Sequence, residues 1–162
     1  MLSGNNILIR PVKETDRDKI LSWRKVKDAP PFMGLLQVSP LLGPVNLFFR
    51  PWLKNYIVED NAGNMTGVIR LDVINRYKGS LGISMDFCGD AQNSAEALKL
   101  MSTYILNELG YSRVSINVLV FEKTNIAMLK KLGFAKEIVL KNHAYYNGLY
   151  HDVLVYALTK GD

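Results

Sequence analysis

The chain has 162 residues, of which 48% are apolar and 22% are charged. This is the length of one ordinary domain and the balance of a globular protein, which excludes a disordered or fibrous chain. The formal net charge is +5, but the basic residues are scattered among acidic ones and lack the interleaved aromatic residues of nucleic-acid-binding proteins. We therefore expect a single domain over residues 1–162, with no nucleic-acid partner.

The first six residues, Met1-Leu2-Ser3-Gly4-Asn5-Asn6, lead into the alternating run Ile7–Arg10 without the basic start and apolar core of a secretory signal. No apolar run is long enough to span a bilayer. The single cysteine, Cys88, cannot form a disulfide within the chain, and the two histidines lack the partners of a metal site. These features predict a cytoplasmic protein with no membrane partner and no bound metal.

The first half of the chain is predicted to contain a strand, a helix and three further strands. Alternation over residues 7–11 predicts the first strand, and Thr15 or Asp16 is placed to cap the helix that follows. Residues 28–50 combine prolines and glycines with many apolar residues, which predicts a long loop that forms a lid or a partner surface. The strands of an antiparallel meander are then predicted at residues 56–59, 65–75 and 80–87.

The second half alternates helices and strands. Helical spacing from Ala97 to Leu109 predicts a helix that begins near Asn93, with Asn93 and Glu96 forming a capping box, and that closes at Gly110. The other predicted elements are a strand at 113–119, a helix at 125–132, and strands at 134–140 and 153–158 with a connection at 143–148. The strand, helix, strand unit favours a parallel pair, so the predicted fold class is α/β with a mixed sheet.

Three stretches carry a resemblance to a known family by their order and spacing. They are Ile7-Leu8-Ile9-Arg10-Pro11, Leu81-Gly82-Ile83 with Asp86 before Ala95-Glu96-Ala97-Leu98, and Leu129-Lys130-Lys131-Leu132-Gly133-Phe134. Together they resemble the GNAT superfamily, especially its branch of ribosomal-protein N-terminal acetyltransferases, over nearly the whole chain. The resemblance implies the GNAT acyl-CoA N-acyltransferase fold, a splayed and mostly antiparallel sheet with flanking helices.

In that fold the strands at 81–87 and 114–119 part at one end, and acetyl-CoA lies in the gap. The resemblance implies that backbone groups from Met85 to Cys88 pair with the pantetheine arm. It also implies that amides at the start of the next helix hold the pyrophosphate, since a helix N-terminus attracts anions. The implied cofactor-binding residues are Met85, Phe87, Cys88, Gly89, Gln92, Asn93, Ser94, Ala95, Asn125 and Lys130.

The chain departs from the family pattern at two places. The usual basic residue and glycine-rich turn are replaced by Gly89-Asp90-Ala91-Gln92, so the pyrophosphate loop is degenerate and Asp90 would repel phosphates. Leu129 stands where many relatives have a tyrosine that protonates the leaving thiolate, and Glu122 stands where an asparagine is frequent. These departures leave open a non-catalytic domain of the same fold that binds a ligand or partner.

Three residues are implied in catalysis. Asn125 matches a small polar residue that can hydrogen-bond the thioester in other members of the branch. Asp86 is a candidate base, with Glu59 as the other nearby carboxylate, because the attacking amine must be neutral. Tyr146 lies in the closing hairpin, which borders the acceptor site in relatives, although packing across the strands is the alternative role for its aromatic residues. The neighbours of Tyr146 in this hairpin are Tyr145, Tyr150 and His151.

The resemblance implies an N-acetyltransferase in which an amine attacks acetyl-CoA directly. The acceptor would be a protein N-terminus, an amino sugar or a small amine. The apolar loop would either bind this acceptor or form a homodimer contact.

Overall fold

The computed structural model describes residues 1–23, 53–72, 79–87, 91–146 and 148–161. Several sequence-based predictions fall outside these ranges: the proline-rich loop and the residues Cys88, Gly89 and Asp90. The side chains of Asp86 and Phe87 are also outside the description, so these two residues are placed by their backbone alone.

The described elements follow the predicted order after one additional short strand at the N-terminus. They are β1 (Leu2–Ser3), β2 (Ile7–Pro11), a 3-10 turn (Glu14–Asp16), α1 (Arg17–Trp23), β3 (Leu53–Asp60), β4 (Met65–Asp72), β5 (Ser80–Phe87), α2 (Ala91–Asn107), β6 (Arg113–Leu119), α3 (Lys123–Lys131), β7 (Ala135–Tyr146) and β8 (Leu149–Thr159). None of the described helices is long and apolar enough to cross a membrane.

The described strands form one eight-stranded sheet with the order β1-β2-β3-β4-β5-β6-β8-β7. β5 and β6 are parallel, and the other neighbouring strands of this sheet are antiparallel. A parallel pair needs a long crossover, which α2 provides. The predicted fold class, α/β with a mixed and mostly antiparallel sheet, is therefore confirmed.

The helices lie on opposite faces of the sheet. On the first face, Leu98 of α2 and Leu129 of α3 share the main core with Ile69 of β4, and we call this the α2–α3 face. On the second face, Ile20 of α1 packs with Ile57 and Val68, and we call this the α1 face. Successive residues of a strand point to opposite faces, which explains why Val68 and Ile69 belong to different clusters.

The sheet opens between β5 and β6. Their described pairing runs from Ser80 opposite Arg113 to Ile83 opposite Ile116 and ends there. Beyond that point β5 stays paired with β4 as far as Phe87, while β6 stays paired with β8 as far as Leu119. The two strands therefore follow different neighbours and part at their C-terminal ends, as the resemblance predicted.

The other end of this gap is tied closed by contacts between β5 and β6. The Ser112 main-chain N–H and hydroxyl both donate to the Gly79 carbonyl, at 3.1 and 2.7 Å. Arg113 donates to the Ser80 hydroxyl at 2.8 Å and forms an ion pair with Glu137. Because these contacts surround the first residues of both strands, the sheet opens at one end only.

The predicted start of α2 is wrong by two residues, since the helix begins at Ala91 and Asn93 already lies within it. Glu96 does not form the predicted capping box. Its carboxylate instead accepts hydrogen bonds from the main-chain N–H groups of Asn5 and Asn6. A Cβ atom at Gly4 would collide with the same carboxylate, so glycine lets the N-terminal segment approach α2 closely.

The predicted connection at residues 143–148 is also wrong over most of its length, because β7 continues to Tyr146 and β8 begins at Leu149. A bulge between Leu140 and Ala144 interrupts the strand pattern but not the strand. Its residue Asn142 has a φ of 47°, and the Asp152 carboxylate accepts the Asn142 N–H at 2.9 Å. This contact from β8 stabilises a positive φ, which Asn adopts more readily than most residues other than glycine.

Arg10 connects α1 to the sheet. Its two terminal nitrogens donate to the Asp16 carboxylate at 2.7 and 2.9 Å, and Nε donates to Glu59 at 2.8 Å. Asp16 is buried and also accepts the Lys13 N–H at 2.8 Å, so its carboxylate reaches back to the residue that precedes the 3-10 turn. The hydrogen bonds from Arg10 are the main cause that lowers the pKa of Asp16.

We predict that Asp16→Asn lowers the free energy of unfolding by about 2 kcal/mol at neutral pH, since a charged hydrogen-bond partner of Arg10 is lost. The folded pKa of Asp16 lies below its unfolded value, so its stabilisation is present above about pH 3.9 and is lost as the pH falls through the folded pKa. Urea unfolding should therefore show a difference between wild type and variant that shrinks as the pH falls below about 3.9.

Asp18→Asn is the matched control, because Asp18 is an exposed carboxylate on the first turn of α1. It should change stability by less than about 0.5 kcal/mol. A difference for Asp16→Asn that stays constant with pH would contradict the prediction.

Ser102 of α2 is 1% exposed, and within the described part of the chain its hydroxyl has no hydrogen-bond partner. We predict that Ser102→Ala raises the free energy of unfolding by about 1 kcal/mol, because it removes an unsatisfied buried donor and improves helix propensity. Thr103→Ala is the control, since Thr103 is exposed and donates to the Lys99 carbonyl at 2.9 Å. A lower melting temperature for Ser102→Ala would contradict the prediction.

Candidate active site

Five structural features meet at the open end of the β5–β6 gap. The C-terminal ends of β5 and β6 form its two arms, and α2 and α3 begin shortly after these ends. β8 runs antiparallel to β6 with Val153 opposite Leu119, so residues 149–152 extend past the end of β6. The β7–β8 hairpin therefore borders the same opening.

The β5 arm carries three of the predicted site residues. Met85 lies opposite Ile69 and is buried on the α2–α3 face. Asp86 and Phe87 lie opposite Val68 and Gly67, at the far end of the arm. This arm has β4 on one side and the gap on the other, so those of its main-chain groups that point away from β4 face the gap.

The start of α2 carries four more predicted residues. Gln92 is exposed, Asn93 is half-buried and Ser94 is buried. The first turn of a helix has N–H groups without an acceptor in the helix, and it carries the positive end of the helix dipole. Ala95, the fourth of these residues, is half-buried and follows Ser94 in the helix.

A polar cavity of about 390 Å³ lies beside this helix start. Gln92 and Asn93 form one wall, and the β3–β4 turn from Asp60 to Ala62 forms the other with Asn6. The Asp60 carboxylate accepts the N–H groups of Ala62 and Asn64, both at 2.9 Å. Hydrogen bonds lower the pKa of Asp60, and the one from the Asn64 side chain has the largest effect. This wall of the cavity is therefore anionic.

The start of α3 contains a buried carboxylate. Glu122 is 5% exposed, and it accepts hydrogen bonds from the Leu119 N–H and from Asn125 Nδ2, the latter at 3.0 Å. Burial raises the pKa of Glu122, and the two hydrogen bonds act in the opposite direction. Asn125, a predicted catalytic and cofactor-binding residue, is half-buried and uses one amide hydrogen for this contact.

Tyr146, another predicted catalytic residue, belongs to an aromatic cluster at the opening. The Phe121 ring lies 5.3 Å from Tyr146 and 4.9 Å from His151. His151 Nε2 lies 3.1 Å from the Tyr146 carbonyl, which can only accept, so Nε2 carries the hydrogen. His151 is three residues from Leu154 of the main core, so strand alternation places this cluster on the α1 face.

Other candidates lie elsewhere. Lys130 is exposed in the last turn of α3, five residues after Asn125 and about 8 Å farther along the helix axis. Leu129 is fully buried in the main core. Tyr145 and Tyr150 pack against each other 5.2 Å apart as an exposed pair. Glu59 is held by Arg10, which makes it part of the α1 connection and not a free base.

Sequence reasoning did not find the contacts of Phe121 or the pairing of Glu122 with Asn125. The three-residue spacing of Glu122 and Asn125 is a signal for the second contact, since side chains at this spacing meet on a helix. No local signal exists for Phe121, because its partners lie on another pair of strands.

Comparison with known proteins gives a family match. Residues 9–155 match a family described as an acetyltransferase (GNAT) domain. The chain is 34% identical over 103 residues to the Bacillus subtilis (strain 168) protein "Putative ribosomal N-acetyltransferase YdaF", covering 60% of this chain and 55% of YdaF. It is 24% identical over 108 residues to the N-acetyltransferase YokL of the same organism, covering 65% of this chain and 61% of YokL. The match therefore spans little more than half of each relative.

Solved structures share the fold over nearly the full chain. A dodecameric structure of spermidine N-acetyltransferase from Vibrio cholerae has a TM-score of 0.78 at 17% identity, covering 96% of this chain and 95% of that one. The spermidine/spermine N-acetyltransferase SpeG from Vibrio cholerae has a TM-score of 0.74 at 19% identity, covering 95% and 92%. Because the family match spans most of the sequence and the sheet opens between β5 and β6 as this fold requires, the chain belongs to the GNAT acetyltransferase family.

Proposed function

We propose that this protein transfers the acetyl group of acetyl-CoA to a primary amine. The observation that carries the proposal is the gap beyond Ile83 and Ile116, with a helix starting beside each of its two arms. An open strand edge offers N–H and C=O groups to an amide-containing chain, and a helix start offers N–H groups to phosphates. Acetyl-CoA combines an amide-containing arm with a pyrophosphate, so both features suit it.

The donor is proposed to lie along the β5 arm. Main-chain groups from Met85 to Cys88 would pair with the pantetheine arm, and Gly89 with the first turn of α2 would hold the pyrophosphate. The described part of that turn contributes Gln92, Asn93 and Ser94. Lys130 is too far from Asn125 to act at the thioester, and its charge suits a more distant phosphate of the donor.

The acceptor is proposed to enter from the α1 face. α2 and α3 occupy the opposite face, and the half-buried Tyr146 and His151 line the opening on this one. The names of YdaF and of the spermidine N-acetyltransferases support an amino group as the acceptor. The substrate class proposed here is a primary amine: a protein N-terminus, an amino sugar or a small amine.

Acetyl-CoA supplies an activated acyl thioester. During direct transfer the amine nitrogen bonds to the acetyl carbon, the carbon–sulfur bond breaks with its electron pair on sulfur, and a proton leaves the amine. Asn125 would donate its second amide hydrogen to the thioester oxygen or sulfur, where negative charge develops. Asp86 would accept the amine proton, and Tyr146 would contact the amine.

We expect acetyl-CoA and CoA to raise the melting temperature, and adenosine 3′,5′-bisphosphate, which lacks the pantetheine arm and one phosphate of the pyrophosphate, to raise it less. A ligand at a hundred times its dissociation constant stabilises the fold by about 2.7 kcal/mol, which thermal unfolding detects readily. Thiol release from acetyl-CoA would then be measured with spermidine and with a peptide that has a free N-terminus. Absence of any shift at millimolar acetyl-CoA would contradict the proposal and favour the non-catalytic alternative.

We predict that Asn125→Ala lowers kcat about 100-fold, because a donor to the developing charge is lost, while acetyl-CoA affinity changes little. Thr124→Ala is the control, since Thr124 is an exposed neighbour on the same turn. The measurements are steady-state kinetics and titration with acetyl-CoA. An unchanged kcat for Asn125→Ala would remove Asn125 from the mechanism without affecting the evidence for donor binding.

A further inference from the structure

Glu122 is a buried carboxylate for which the proposed chemistry has no direct use. It is the residue that precedes α3, but its side chain makes no hydrogen bond that caps the helix. A capping side chain normally accepts an N–H from the first turn ahead of it. The Glu122 carboxylate instead turns back to Leu119 and sideways to Asn125.

The first of these contacts lies inside the gap. Val120 donates its N–H to the Asp152 carbonyl at 3.2 Å, on the β8 side of the chain. Neighbouring N–H groups of an extended chain point to opposite sides, so the Leu119 N–H points toward β5. The β5–β6 pairing has ended three residues earlier, at Ile116, and Glu122 supplies the acceptor that β5 no longer provides.

The second contact determines which end of the Asn125 amide faces Glu122. An ionised carboxylate only accepts hydrogen bonds, so it must meet Nδ2–H and not the amide oxygen. The oxygen and the second hydrogen of Asn125 are thereby directed away from Glu122. The two ends of the amide are nearly equivalent in shape, so without this contact they could exchange places.

We propose that Glu122 is a positioning residue that joins the end of the β6 arm to Asn125 and directs the second Asn125 amide hydrogen toward the bound thioester. This inference rests on the proposed function for the role of Asn125, but the contact itself is independent of that role. Two N–H donors converge on one carboxylate, so an amide in place of Glu122 would oppose one donor with another. Glu122→Gln should therefore lose one contact or turn the Asn125 amide over.

The first test observes Asn125 directly by NMR of the 15N-labelled protein. Its side-chain NH2 signals are identified by their loss in Asn125→Ala. In the wild type we expect slow hydrogen exchange for Asn125 compared with the exposed Asn117. Glu122→Gln should shift the Asn125 signals and speed their exchange, whereas Glu137→Gln, at the closed end of the gap, should leave them unchanged.

The second test separates positioning from a general loss of structure. With acetyl-CoA and the better of spermidine or the peptide, Glu122→Gln should lower kcat about tenfold with little change in the KM for acetyl-CoA. In the Asn125→Ala background the same substitution should cause no further loss, because Glu122 acts through Asn125.

Two results would overturn the inference. One is an Asn125 exchange rate in the wild type equal to that of Asn117, a measurement that does not depend on the folding of any Glu122 variant. The other is a loss of kcat from Glu122→Gln that is as large in the Asn125→Ala background as in the wild type. If millimolar acetyl-CoA does not shift the melting temperature of the wild type, the proposed function fails, and the NMR comparison still decides whether Glu122 orients Asn125.

Discussion

The short parallel pairing of β5 and β6 is the constraint on which the rest of this structure depends. Hydrogen bonds from Ser112 and Arg113 hold the strands together where they begin, and their outer neighbours β4 and β8 carry them apart after Ile83 and Ile116. A parallel pair requires a crossover helix, and α2 starts soon after β5 ends. α3 follows β6 in the same way. The order of the strands therefore places the opening in the sheet next to the starts of α2 and α3.

An opening in a sheet leaves main-chain groups without strand partners, and such groups are costly unless something else satisfies them. The two arms differ in this respect. At the end of the β6 arm, Glu122 accepts the Leu119 N–H, so the protein satisfies this group from within. The β5 arm from Ser84 to Phe87 has β4 on one side and the gap on the other, which suits an extended ligand with its own amide groups. The asymmetry explains why donor binding is proposed along β5 and positioning of Asn125 along β6.

The two faces of the sheet separate the two proposed substrates. α2 and α3 fill one face, and α1 is tied to the other through Arg10, Asp16 and Glu59. The Phe121, Tyr146 and His151 cluster lies on the α1 face, so an amine and a phosphate-bearing donor can approach the opening from opposite directions. The ion pair also gives Glu59 a structural role, since its carboxylate accepts a hydrogen bond from Arg10 Nε and is held at the α1 connection.

The sequence by itself determined the order of the main elements and the mixed sheet, because apolar periodicity and turn residues act over a few neighbouring positions. It also carried the family resemblance, through motifs that lie within single elements, and this resemblance implied the position of the gap. Only the tertiary structure decided that α2 begins at Ala91, that β7 continues to Tyr146, and that Glu59 forms an ion pair with Arg10. These outcomes depend on groups far apart in the chain: Arg10 and Glu59 are separated by 49 positions, and Asn5 and Glu96 by 91. Contacts over such separations form only when the sheet assembles, so local sequence patterns do not predict them.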